Sequence, residues 1–228
     1  METLYLLCGL LCDEEVWAGQ VPELSKRYDV RVVSFQGLDT IGAMAEKVLR
    51  DAPGRFSLAG HSMGGRVALE VYRRAPERIS RLALLDTGYE PVGQGEAERR
   101  AVLVNKALKK GIETIAETWG RPMIAPRNQP AVLGSVLDMV GRMSGEIYAG
   151  QTRALVGRPD ATPVLASIAC PTLVLCGAQD TWSPPDRHGR LVELIPGAIL
   201  RIVDDCGHMS TMERPLDVLA ALQEWMQT

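Results

Sequence analysis

The chain has 228 residues, 46% of them hydrophobic and 23% charged, with a mean hydropathy close to zero; this is the make-up of one globular domain. Lys and Arg number 25 against 28 Asp and Glu, a net charge of −3, and a pI near 5.7 argues against a nucleic-acid partner, which calls for a basic face. No apolar run approaches the roughly 18 residues that span a bilayer, so no membrane partner is expected either.

At the N-terminus, Met1 is followed by the acidic Glu2 and then by Leu4–Cys8. Without a basic leader region this reads as a first strand and not a signal peptide. Glu15–Arg27 follows as a helix, Asp29–Phe35 as a strand and Thr40–Asp51 as a helix. Phe56–Ala59 is a strand and Met63–Arg74 a helix that Ala75-Pro76 ends, and Arg81–Leu85 is a strand. Cys170-Pro171 precedes the strand Thr172–Cys176. Pro185–Ile195 is a helix closed by the turn at Pro196-Gly197, Ile199–Val203 a strand, and Pro215–Gln227 the last helix. Short Leu/Val/Ile runs alternating with helical patterns predict an α/β fold, a doubly wound, mostly parallel sheet of about six strands covered on both faces.

The exception is residues 89–167. This stretch has no strand-like run, and helical periodicity marks Val102–Lys109, Ile112–Thr118 and Val132–Met143. Gln94–Asp160 carries ten basic and seven acidic residues, against the acidic balance elsewhere. It is far longer than the dozen or so residues that a crossover needs, and reads as a helical lid inserted within a single domain that spans residues 1–228.

The five cysteines, Cys8, Cys12, Cys170, Cys176 and Cys206, are odd in number and predict reduced thiols in the cytoplasm. Cys8 and Cys12 are four apart, and Cys206 lies close to His208, but no further ligands complete a metal site. No metal is expected.

Chemistry concentrates where the strand Phe56–Ala59 runs into Gly60-His61-Ser62-Met63-Gly64-Gly65 and then into a helix. This is Gly-x-Ser-x-Gly in its strand–turn–helix context. The sharp turn strains the serine backbone, and side chains at 60 or 64 would collide with neighbouring elements. The hydroxyl is lifted to a helix N-terminus, where free amides favour developing negative charge.

With this elbow the sequence resembles the α/β-hydrolase superfamily over nearly its whole length, and the resemblance implies that fold. It starts at the strand bearing the oxyanion loop, hence the expectation of about six strands instead of the usual eight. The resemblance also implies a triad in the order Ser, acid, His. Asp180 matches the acid after the next-to-last strand, and His208 the histidine in the loop after the last. Of the three histidines, His61 lies inside the elbow and His188 in a helix, leaving His208 in a loop. Ser62 needs a base to become nucleophilic, His208 would shuttle its proton, and Asp180 would fix the imidazole. Asp86, at the end of the strand Arg81–Leu85, is a rival for the acid. The oxyanion hole would use the amides of Met63 and Leu10, with Cys8 standing where the family usually has His. Asp13 and Trp17 read as a helix cap and a core aromatic.

For substrate binding the candidates are Arg66, one turn into the elbow helix and suited to a carboxylate, together with Arg153 and Trp182. Arg158 is a further candidate for the pocket, with a structural pair to Asp160 as its other reading. The resemblance implies a serine hydrolase forming an acyl-enzyme on Ser62 from a small-molecule ester, thioester or lactone, without a cofactor. The alternatives are carbon–carbon cleavage or elimination on an anionic substrate with the same triad, and a non-catalytic ligand receptor on the same fold.

Overall fold

The apolar runs form six strands in the computed structural model, which describes residues 1–52 and 54–228. They are β1 (Thr3–Leu7), β2 (Asp29–Val33), β3 (Phe56–His61), β4 (Ile79–Leu85), β5 (Thr172–Gly177) and β6 (Ile199–Val203). Every pairing is parallel, and the sheet order is β2-β1-β3-β4-β5-β6. Parallel neighbours require crossovers, supplied by the short α1 (Val21–Leu24), then α2 (Ile41–Asp51) and α3 (Met63–Arg74). Between β4 and β5 lie α4 (Glu96–Lys110), α5 (Glu113–Gly120), α6 (Gln129–Gly141), α7 (Gly145–Val156) and α8 (Thr162–Leu165). α9 (Pro185–Leu194) joins β5 to β6, and α10 (Ser210–Glu213) and α11 (Pro215–Trp225) close the chain.

Burial follows the topology. β1, β3 and β5 are buried along their whole lengths, which explains their continuous apolar runs. β2 and β6, at the two edges, are only partly covered. The order reverses between β1 and β3: the chain leaves β1 for β2 on one side and returns to β3 on the other. The loops after those two strands therefore part and leave a crevice at their carboxyl ends.

α3 crosses this point at unusually close range. A Cβ on Gly60 would overlap the Gly64 carbonyl, and one on Gly64 would overlap the Leu7 carbonyl of β1. Both obstructions are backbone, so no side-chain rearrangement relieves them.

The expected helix Glu15–Arg27 is not continuous. A 3-10 turn at Glu14–Trp17 is followed by α1. Gly19 sits against Pro215, where a Cβ would stand 2.6 Å from the proline Cβ, and the buried Gln20 amide donates to the Thr211 and Pro215 carbonyls. Docking against the C-terminal segment thus overrides helical propensity. β2 stops at Val33, two residues earlier than expected, and β3 runs on to His61.

The helices between β4 and β5 are tied to the first loop at two points. Arg142, just after α6, donates two hydrogen bonds to Asp13 (2.7 and 3.0 Å). Gln151 of α7 accepts the Leu11 amide at 2.8 Å. Among the described residues no helix is long and apolar enough to cross a membrane.

The close crossing of α3 generates a paired test. Gly60→Ala should destabilise the protein by at least the roughly 1–3 kcal/mol typical of overpacking. Gly134 lies in α6, and a methyl group added there would meet nothing within 4 Å, so Gly134→Ala should stabilise by about 0.4–1 kcal/mol. Urea unfolding of the two variants beside the parent measures both.

Candidate active site

Ser62 is the hinge between β3 and α3, at φ 54° and ψ −116°. A positive φ is costly for a residue with a side chain, about 1–3 kcal/mol, and the neighbours hold it there. Its amide donates to the Leu85 carbonyl at 2.9 Å, and its carbonyl accepts the Thr87 hydroxyl at 2.6 Å. The hydroxyl stands at the N-terminus of α3, where the Met63 amide has no intrahelical acceptor.

Three strand ends converge on this serine. His208, in the loop after β6, brings its Nε2 to 2.9 Å from the Ser62 hydroxyl. The other ring nitrogen, Nδ1, donates to Asp180 Oδ2 at 2.8 Å. Asp180 follows β5, and its second oxygen accepts the Trp182 and Ser183 amides at 2.8 and 2.9 Å. Those bonds use the lone pairs not engaged by His208, so the carboxylate has one orientation. Backbone bonds place the imidazole as well: the His208 amide donates to the Met123 carbonyl at 2.7 Å, and His61 Nε2 donates to the His208 carbonyl at 2.9 Å.

The electrostatics separate the three histidines. Burial drives His61 and His188 down to about 4, so both are neutral at pH 7. His188 accepts the Thr87 amide on Nε2 and donates from Nδ1 to the Pro184 carbonyl. Burial acts on His208 in the same direction, but the charge and hydrogen bond of Asp180 outweigh it and raise its pKa above 6.5. For Asp180, burial is outweighed by the charge and hydrogen bond of His208, and its pKa is lowered.

Asp86 comes to the same place from β4 without reaching His208. Its Oδ1 accepts the Gly177 amide at 3.1 Å, and its Oδ2 accepts the Ser210 hydroxyl. It braces the ends of the segments that carry Asp180 and His208. Complete burial, and after it the charge of Asp180, push its pKa well up. From the residues alone Asp86 is legible only as a rival acid, and its partner Ser210 carries no signal.

The loop after β1 lies against the elbow, and a Cβ on Gly9 would stand 3.2 Å from Ser62 Cβ. In it the Leu11 amide is taken by Gln151 and the Cys12 amide by the Gly9 carbonyl. Among the described residues the Leu10 amide has no protein acceptor. Cys8, in place of the family's His, is buried with its thiol donating to the Asp13 carbonyl at 3.2 Å. Asp13 accepts the Glu15 amide, and Trp17 is buried with its indole donating to the Leu7 carbonyl.

A cavity of about 540 Å³ opens above Ser62, bounded by α4, α5 and α7. Arg66, Arg158 and Trp182 line it; Arg153 does not. Tyr148, Gln151 and Leu155 form the inward face of α7 at helical spacing, which turns Arg153 outward to Asp39 at 3.4 Å. Arg158 pairs with both oxygens of Glu96 (2.8 and 2.7 Å), not with Asp160. Trp182 is 40% exposed, its ring centroid 6.3 Å from that of His208. Arg99, Arg100 and Arg187 also reach the cavity; on sequence they are indistinguishable from surface charges.

Comparison with known proteins gives a consistent neighbourhood. A family model described as "Alpha/beta hydrolase family" matches residues 4–222. The pimeloyl-[acyl-carrier protein] methyl ester esterase of Nitrosomonas europaea is 25% identical, covering 93% of this chain and 90% of its own. The (E)-2-((N-methylformamido)methylene)succinate hydrolase of Acinetobacter baylyi is 28% identical over 100% of this chain and 91% of its own. Among solved structures, a thermophilic esterase from Thermogutta terrifontis, with malate bound, superposes with a TM-score of 0.91 at 29% identity, covering 100% of this chain and 90% of its own.

The arrangement predicts how His208 titrates. Its pKa, followed by NMR of the ring protons, should lie above 6.5 in the parent. In Asp180→Asn burial is left largely unopposed, so the pKa should fall below 6.5. In Asp86→Asn it should also fall, but less. A larger fall in Asp86→Asn would make Asp86 the controlling carboxyl.

Proposed function

Because the chain belongs to the alpha/beta hydrolase family, we propose that it is a serine hydrolase cleaving a small carboxylic ester, thioester or lactone through an acyl-enzyme on Ser62. The observation that carries this reading is the unbroken hydrogen-bond relay from Ser62 through His208 to Asp180. Esterases and other hydrolases among the relatives support the class of reaction.

In this mechanism Ser62 Oγ attacks the acyl carbon while its proton passes to His208 Nε2. Asp180 stabilises the resulting imidazolium and keeps Nδ1 protonated. The Leu10 and Met63 amides receive the oxyanion, both free of other acceptors among the described residues. Collapse of the tetrahedral intermediate breaks the bond to the leaving group, which takes the proton from His208. Water then attacks the acyl carbon, giving a proton to His208, and the acid leaves as Ser62 recovers its hydrogen. The helices between β4 and β5 act as the lid over this chemistry, since they form the far wall of the cavity. Five unpaired cysteines support a reducing, cytoplasmic setting.

Stopped-flow hydrolysis of p-nitrophenyl butyrate tests the reading. The parent should release a burst of nitrophenolate followed by turnover, and Ser62→Ala should show neither. Asp180→Asn should lower kcat by about 10⁴-fold through loss of the working tautomer, and Asp86→Asn by far less. The attacking state needs neutral His208, so kcat/KM should fall as pH drops through a midpoint above 6.5. Full activity in Ser62→Ala would sink the proposal.

A further inference from the structure

The cavity over Ser62 is strongly and unevenly charged. Arg66, Arg99, Arg100, Arg158 and Arg187 line it, while two carboxylates, Glu90 and Glu96, pair with them. Glu96 is held by both Arg158 and Arg100, and Glu90 by Arg187 at 2.9 Å with Arg66 at 4.0 Å. Burial raises the Glu96 pKa, yet hydrogen bonds from Arg158, the Gly93 amide and Arg100 outweigh this and hold it well below the usual carboxylate range. Both counter-charges are thus ionised and already shared.

The arginines differ in what they have left to offer. Arg158 is saturated: its three nitrogens bond Glu96 and the carbonyls of Glu90, Leu155 and Pro91. Among the described residues Arg100 uses only Nε, toward Glu96. Arg99 uses one Nη, toward the Gln94 carbonyl at 3.2 Å, and has no ion pair among the described residues. Arg66 is mostly buried and bonds the Glu90 carbonyl through one Nη at 2.8 Å. Burial, with the charge of Arg158, pulls its pKa down to about 9, as befits a guanidinium short of negative charge.

A second observation, independent of charge, points the same way. Trp119 of α5 is 2% exposed and lines the cavity, and its indole N–H has no hydrogen-bond partner among the described residues. Such a donor is costly to bury unless something accepts it. Tyr148 of α7 lines the same wall, equally buried, and its hydroxyl bonds no protein group among the described residues. A buried donor without an acceptor, beside five guanidiniums that share two carboxylates, asks for an acceptor that carries negative charge.

Resting on the serine-hydrolase reading, we propose that the substrate is a small ester bearing a carboxylate remote from the scissile bond, received by Arg66, Arg99 and Arg100 with the Trp119 N–H and Tyr148 O–H. A half-ester of a short dicarboxylic acid has this form. Arginine suits the task because its planar N–H pairs match the two oxygens of a carboxylate. Screening by salt is weak inside a partly closed cavity, so the preference belongs in binding as well as in encounter.

The test compares mono-p-nitrophenyl adipate with its methyl ester, methyl p-nitrophenyl adipate, which differ by one charge and one methyl group. The parent should favour the anion in kcat/KM by about tenfold to a hundredfold, the range for hydrogen bonds to a charged group. That ratio should collapse toward one in Arg99→Gln/Arg100→Gln, substitutions on partly exposed helix positions. Trp119→Phe, which keeps the ring packing and removes the N–H, should reduce it as well. A ratio near or below one in the parent overturns the proposal and leaves the hydrolase reading standing. Calorimetry on Ser62→Ala removes dependence on turnover: monomethyl adipate should bind at least tenfold tighter than dimethyl adipate, and equal binding overturns the proposal. If monomethyl adipate binds tightly to that variant but neither ester is turned over by the parent, the anion site stands and the hydrolase reading falls.

Discussion

The backbone of Ser62 is where local strain and long-range packing meet. Its positive-φ conformation turns β3 into α3 within one residue, and the turn closes only because Gly60 and Gly64 let backbone press on backbone. The Leu85 carbonyl and the Thr87 hydroxyl then occupy the serine amide and carbonyl, so β4 as well as β1 holds the turn in place. Strain of this kind persists only where the surroundings over-determine it. The same device recurs around the site. Among the described residues, the other non-glycine positions with positive φ are Leu11, Asp86 and Asp205, each just past the carboxyl end of a strand.

Around that hinge the protein uses burial to decide which groups titrate. His61 and His188 are stripped of charge by their surroundings and serve as hydrogen-bonding struts, one to the His208 carbonyl and the other to the Thr87 amide. His208 is as deeply set, yet Asp180 reverses the effect of burial. Asp86 contributes in a different way. Its carboxyl ties together the Gly177 amide and the Ser210 hydroxyl, one from the strand leading to Asp180 and one from the turn after His208. The segments carrying Asp180 and His208 are thus tied by a third carboxyl that, among the described residues, hydrogen-bonds to neither side chain.

Much of the architecture could be read from the sequence because it is written in short-range patterns. Continuous apolar runs mark β1, β3 and β5, which are buried on both faces, and prolines mark the start of α9 and α11. The elbow is legible since its glycines answer a local steric demand. Where contacts between distant segments decide, the reading fails. Glu15–Arg27 has helical periodicity but breaks where Gly19 and Gln20 meet the C-terminal segment. Arg153 and Arg158 look alike in a row of residues, yet the rotation of α7 sends one to Asp39, and the turn after that helix leaves the other on Glu96. Ser62, Asp180 and His208 could be placed at strand ends by family resemblance, and the structure draws them within hydrogen-bonding distance. Trp119 and Tyr148 give no sign, because an unsatisfied donor exists only in three dimensions.

The bond from Leu11 to Gln151 links parts of the chain that a modular view would treat as separable. Gln151, on α7 between β4 and β5, accepts the amide of Leu11 beside the elbow, while Arg142 grips Asp13 in the same loop. Helices that join two strands of a constant sheet look like interchangeable cassettes. Here such an exchange would also remove the acceptor that orders the residue next to Leu10, in the loop that lies against Ser62. Recombination between relatives, in nature or in the laboratory, must therefore carry the first loop and the helices between β4 and β5 together, although 140 residues separate Leu11 from Gln151.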